Sequence, residues 1–198
     1  MPLVEVVIPV GGEPLERVRA ATDAVLRGTE ADVRVNLLGP WEELDDARVP
    51  PLADPRLDLR LIAATYRGEP RVRLVTEPVA AFPAPFLLEL PAAHQLARDR
   101  IRHLVELADH HQVGLIRAGT TEPLLLWRTA AVRRAELVRA PGESLEDAVA
   151  AVHGRRDESL TTGRRRPTPS TAEVGGVRSL LRAAVMVGRL GLRRMTVR

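Results

Sequence analysis

Leu3-Val4-Glu5-Val6-Val7-Ile8-Pro9-Val10, followed by Gly11-Gly12, is the stretch from which the fold is read. So many β-branched and apolar residues, ended by a Gly-Gly turn, make a buried strand. Pro14 then stands near a first helical turn, where its missing N–H costs nothing. From Leu15 to Leu26 the apolar positions are Leu15, Val18, Ala21, Val25 and Leu26, with Glu16, Arg17, Asp23 and Arg27 opposite. That spacing predicts an amphipathic helix closed by Gly28. Asp32 to Leu38 reads as a second strand, stopped by Gly39-Pro40. Strand, helix and strand in this order form a βαβ unit, with parallel strands and a right-handed crossover. The expected class is therefore α/β, with a mostly parallel sheet and helices on both faces.

Further along, Trp41 to Pro55 is broken by Pro50, Pro51 and Pro55 and reads mostly as loop. Leu57 to Tyr66 suits a short helix, Arg71 to Val75 a third strand and Phe86 to Leu90 a fourth, with a proline-rich loop from Glu77 to Pro85 between. Asp99 to His110 carries Ile101, Leu104, Val105 and Ala108 in helical register. Val113 to Arg117 and Leu124 to Trp127 read as strands, Thr129 to Glu136 and Ser144 to His153 as helices. This organisation predicts a domain over residues 1–153, an Arg/Ser/Thr/Pro-rich linker over 154–175 and a basic amphipathic helix over 176–198.

The 198 residues suffice for one medium domain with its own core. Hydrophobic residues make up 45% and aromatics only 3%, so the core is built from Leu, Val and Ala. So few rings leave little for base-stacking platforms. The absence of Cys excludes disulfides, thiolate metal sites and a Cys nucleophile. No apolar run is long enough for a spanning helix, and no signal peptide is expected. All 29 basic residues are Arg. Residues 154–198 hold 11 Arg against three acids, a net of +8; the rest holds 18 Arg against 23 acids, a net of −5. A slightly acidic body thus carries a basic tail, suited to an anionic partner or simply solvated.

The opening Val6-Val7-Ile8-Pro9-Val10, its helix and the strand at Val33 to Leu38 resemble family 2 inverting glycosyltransferases. So do Pro85-Phe86-Leu87-Leu88-Glu89-Leu90, Leu104-Val105-Glu106-Leu107-Ala108-Asp109 and Trp127-Arg128-Thr129-Ala130-Ala131. The resemblance covers roughly residues 3–150 and implies the GT-A fold, a Rossmann-like sheet. It also implies a nucleotide-sugar donor and transfer of its sugar to an acceptor hydroxyl. This chain departs from the family at three points. Pro91-Ala92-Ala93-His94 stands where the family has its Asp-x-Asp cluster, whose carboxylates hold a divalent cation. Gly11-Gly12 follows the first strand in place of a pair such as Tyr-Asn, and Leu37-Leu38-Gly39 ends the second strand without the usual acid. No metal site and no cofactor is therefore expected.

The candidate nucleotide-binding residues are Pro9, Val10, Gly11 and Gly12, where backbone N–H groups at a helix start can approach a phosphate. Asp45 and Asp46 join them as a displaced carboxylate pair, or form a solvated acidic turn. Glu146 and Asp147 are the candidate catalytic pair, matched to the family's late acids that supply the base. Acids in a first helical turn also stabilise the helix without any function. Arg71, Arg73 and Arg117 are candidates by residue type to stabilise a leaving diphosphate; His94 is a phosphate contact, a metal ligand or a surface residue. His110 and His111 are expected to diverge, and His103 and His153 to face solvent.

Two function classes follow: a divergent glycosyltransferase with a nucleotide-sugar donor, or a catalytically inactive relative acting as a binding or scaffold protein. Residues 176–198, with Arg178, Arg182, Arg189 and Arg193 in one stripe, suit a protein partner or an anionic membrane surface. Arg abundance without a recognition motif argues against nucleic acid. A cytoplasmic location is expected, with peripheral attachment at the inner membrane face as its variant.

Overall fold

The computed structural model describes residues 1–44, 54–77 and 84–159. Asp45, Asp46 and the segment 160–198, with its expected basic helix, lie outside the described residues. The chain within Met1–Leu160 forms a compact unit. Its elements are β1 (Val4–Pro9), α1 (Leu15–Leu26), β2 (Val33–Leu38), a 3-10 turn at Trp41–Glu43, α2 (Leu57–Tyr66), β3 (Val72–Val75) and β4 (Phe86–Glu89). Then come α3 (Arg100–His111), β5 (Leu115–Ala118), β6 (Leu124–Arg128), α4 (Thr129–Val138), α5 (Leu145–His153) and β7 (Arg155–Glu158).

The seven strands form one sheet in the order β3-β2-β1-β4-β6-β5-β7. The expected βαβ unit is present, with Val4 beside Val33 and Pro9 beside Leu38 in parallel register. Only β6 runs against its neighbours β4 and β5. Its direction follows from the short link between Ala118 and Leu124, which permits a hairpin but no crossover. Gly119, at φ 95°, takes the left-handed backbone needed there.

Alternation of side chains along each strand gives the two faces different tasks. Val4, Val6, Ile8, Val35, Leu37, Phe86, Leu88, Leu126 and Ile116 pack under α1, α2 and α3 in the larger core. Leu87, Leu115, Leu125 and Trp127 pack under α4 and α5 in a smaller one. The helices α1 and α2 are joined by the Tyr66 hydroxyl, which donates to Asp23 Oδ1 at 2.9 Å. Burial of Tyr66, then that bond and the nearby Asp23 charge, hold the phenol ionisation well above its ordinary range.

Residues 155–158, read from sequence as the start of the linker, form edge strand β7 beside β5. Gly154, at φ 76°, ends α5 and turns the chain into that position. An edge strand needs no apolar face, so Arg-Arg-Asp-Glu gives no hydrophobic signal. Its charges pair along each side, Arg155 with Asp157 at 3.5 Å and Arg156 with Glu158 at 4.0 Å.

Candidate functional site

The chain runs from β1 out to β2 and β3, then returns to lay β4 on the other side of β1. In open α/β sheets a reversal of this kind leaves a crevice at the carboxyl ends of the strands, where ligands bind. Val10, Gly11 and Gly12 leave β1 at that edge and line a cleft of about 390 Å³ with Pro40, Arg56 and Asp58 among the other walls. Gly12 takes φ 80°, and a Cβ added at Gly11 or Gly12 would meet nothing within 4 Å. The turn therefore presents bare backbone to open space at the start of α1. Of the residues expected here, Val10, Gly11 and Gly12 wall the cleft, while Pro9 pairs with Leu38 and does not.

Arg56 is the cation in the cleft wall that the sequence reading missed. Its guanidinium donates to the Glu43 carbonyl and meets the Glu43 carboxylate at 3.1 Å, while its backbone N–H donates to Asp54 at 2.9 Å. Asp54 in turn holds Arg60 at 2.8 Å. These bonds fix the entry to α2 against the 3-10 turn. Trp41 secures the other side, donating from Nε1 to the Leu37 carbonyl at 2.9 Å, with its ring against Gly39. Nothing in the order of residues along the chain pairs position 56 with position 43.

The predicted catalytic pair is divided by the structure. Ser144 caps α5: its hydroxyl accepts from the Asp147 N–H at 3.1 Å and donates to the Asp147 carboxylate at 2.6 Å. Asp147 thus serves its own helix end. Glu146 points elsewhere, to Arg117 of β5 at 3.5 Å, both half-buried. The same face carries Glu89, since Glu89 pairs with Leu125 across β4 and β6, and Leu125 with Arg117 across β6 and β5. Glu89 keeps contact with solvent, yet the protein packed around it removes enough water to raise its pKa above the usual carboxylate range. The Trp127 indole N–H works against that rise, and the Glu146 charge adds to it. Trp127 is only 4% exposed. Its buried Nε1 has no acceptor in ordinary hydrogen-bond geometry.

The loop after β4 does not fit a divalent cation. Pro91, Ala92 and Ala93 offer no side-chain oxygen, Ala92 is buried, and His94 is engaged through Nε2 with the Glu122 carbonyl. Among the described residues no three His, Asp or Glu side chains gather as a metal ligand set. Of the Arg candidates, Arg71 is bound away from the carboxyl edge, to Glu69 at 3.0 Å and the Leu26 carbonyl at 3.1 Å. Arg73 stands exposed on β3. Only Arg117 joins a cluster of acids near this edge. The histidines differ from expectation in two places. His110 and His111 meet edge to face at 4.8 Å, and His153 is half-buried with an unpartnered Nε2. Among the described residues no helix is long and apolar enough to cross a membrane.

No family model matches the chain, and no curated protein matches it. Solved structures do match. TarS 1–349 from S. aureus is 14% identical, with 81% of this chain and 58% of that one covered at a TM-score of 0.51. The mannosyltransferase PcManGT from Pyrobaculum calidifontis, in complex with GDP-Man and Mn²⁺, is 15% identical, with 80% and 55% covered at 0.53. The chain spans a little over half the length of each. Identity this low speaks of fold and not of activity. By sheet order, by its crevice at the β1/β4 reversal and by these likenesses, the chain has a Rossmann-like GT-A glycosyltransferase fold.

Proposed function

We propose that the protein binds a nucleotide sugar at the carboxyl edge of its sheet and transfers the sugar to an acceptor hydroxyl. The observation that carries this reading is the open Gly11-Gly12 turn at the start of α1, walling a cleft beside the β1/β4 reversal. Its backbone and Arg56 suit the diphosphate, while the Glu13 and Asp58 carboxylates suit ribose hydroxyls. Val10 packs beneath and Pro9 sets the end of β1; Asp45 and Asp46, outside the described residues, are assigned to nucleotide binding from the sequence alone. The acidic cluster that serves the acceptor side lies at the Glu146 end of α5, with Asp147 supporting that helix start. Binding of GDP-Man by the similarly folded PcManGT supports the choice of donor class. No step is assigned to a metal, because the residues after β4 do not fit one.

The test is calorimetric titration of the full chain with UDP-, GDP-, dTDP- and CDP-sugars, in Mn²⁺ and in EDTA. Binding of at least one donor that survives EDTA is the expected result. Silence across the panel in both buffers would remove the reading.

The Pro91-Ala92-Ala93-His94 sequence favours a second reading, in which the domain holds a donor or a protein partner without turnover. Donor binding with no release of nucleoside diphosphate would select it. Attachment to a protein or an anionic membrane through residues 176–198, and a cytoplasmic location, belong to either reading. Equal flotation with anionic liposomes of the intact chain and of residues 1–172 would remove the membrane attachment.

A further inference from the structure

Glu89 is the carboxylate that neither the family pattern nor the late acidic pair accounts for. It stands on β4 at the strand reversal, two residues before the turn at Pro91. Its neighbours can be named from each strand and helix around it. From β1 it meets Val7, from β6 Leu125 and Trp127, and from α5 the Glu146 carboxylate, itself held by Arg117 of β5. Among the described residues no salt bridge engages Glu89 itself, whereas Glu146 has Arg117 at 3.5 Å.

Two carboxylates on their own would be an ordinary polar surface. The second observation is Trp127 Nε1, a donor buried in the sheet face beside Glu89 without an acceptor in ordinary geometry. A buried donor left short of a partner is costly, so its placement is informative. The indole N–H lies beside the Glu89 carboxyl, whose exposed side is open to a ligand.

Building on the transfer reading above, we infer that Glu89 is the proton acceptor for an alcohol acceptor, a sugar or polyol hydroxyl, while Arg117 and Glu146 form a positioning pair. The acceptor oxygen bonds to the anomeric carbon of the donor as the bond from that carbon to the diphosphate breaks. The bonding electrons leave on the nucleoside diphosphate, and the hydroxyl proton passes to Glu89. Glu146 is already engaged, its carboxylate meeting the Arg117 guanidinium at 3.5 Å, which suits it to position rather than to accept the proton. Glu89, partly shielded from water by the protein around it and beside the Glu146 charge, binds a proton more readily.

The test joins a titration to a rate. Carboxyl ¹³C NMR of the full chain, assigned with Glu89→Gln, should show Glu89 titrating above ordinary glutamates. Its midpoint should fall in Glu146→Gln and rise in Trp127→Phe. Nucleoside diphosphate release from the donor found by calorimetry, with glycerol and methyl glucoside as acceptors, should rise with pH through that midpoint. Glu89→Gln should lower turnover by about 100-fold or more, the low end for a lost general base, with donor affinity unchanged. Glu89→Asp should restore part of the rate and keep the acid limb. A Glu89 that titrates in the ordinary range and ignores Glu146→Gln would overturn the inference. So would a Glu89→Gln variant that turns over like the wild type, which would leave the transfer reading standing. Absence of donor binding in the wild type would remove both, and binding without turnover would remove this inference while keeping a donor site.

Discussion

The two faces of the central sheet are built from the same strands and have little else in common. Under α1, α2 and α3 the strands present Val4, Val6, Ile8, Val35, Leu37, Leu88 and Leu126, each at most 1% exposed. The other face carries Glu5, Arg34, Asn36, Glu89 and Arg117 among its apolar residues, and Glu5 and Asn36 are buried there. Asn36 Nδ2 reaches Glu5 at 3.5 Å and Arg34 reaches it at 3.8 Å, long contacts that bring little stability. One face carries the larger apolar core, and the other mixes a smaller core with polar and charged groups. Leu88 and Glu89, adjacent in sequence, fall on opposite sides of this division.

The division can be broken or sharpened by experiment. Leu88→Ala removes a fully buried side chain from the centre of the larger core. It should cost about 2–5 kcal/mol in the denaturant midpoint, and a loss under 1 kcal/mol would mean that this face is not the stabilising one. Gly114→Ala probes the smaller core, because an added Cβ would meet His153, Ala131 and Val149 atoms at 2.7 to 2.9 Å. Overpacking there should cost about 1–3 kcal/mol in the same measurement.

Ser144→Ala deletes the cap of α5, with an expected loss of about 1 kcal/mol. Hydrogen exchange should show that loss as faster exchange of the Asp147 and Ala148 amides, which bond to Ser144 Oγ and to its carbonyl; unchanged protection would deny Ser144 its capping role. The smallest effect belongs to Glu89→Gln. The folded-state pKa of Glu89 is raised, so its proton stabilises the fold at low pH, and that contribution disappears as pH rises through the folded value. Glu89→Gln should therefore equal the wild type near pH 4 and match or exceed it at pH 7. A variant less stable than the wild type at pH 7 would place Glu89 among the structural residues.

Much of this molecule was legible in its sequence for local reasons. The βαβ opening, the α1 stripe and the bounds of α2 follow from spacings of two and three to four residues, which are properties of the backbone alone. The Gly11-Gly12 turn was legible because a turn is made by adjacent residues. Edge strand β7 was not, since its position beside β5 is imposed by neighbours and its charges carry no apolar signal. The separate fates of Glu146 and Asp147 were hidden too. On a helix their side chains diverge, one to the cap and the other to β5.

What the chain determined by itself is the helices and strands from β1 to α5, their order and the lack of carboxylates at positions 91 to 93. Only the tertiary structure decided that Glu89, Arg117 and Glu146, from three separate segments, share one face near one edge, and that Arg56 closes on Glu43. The physical reason is range. Alternation and helical period are written between neighbouring residues, whereas the lateral register of strands is set by packing among residues far apart in the chain.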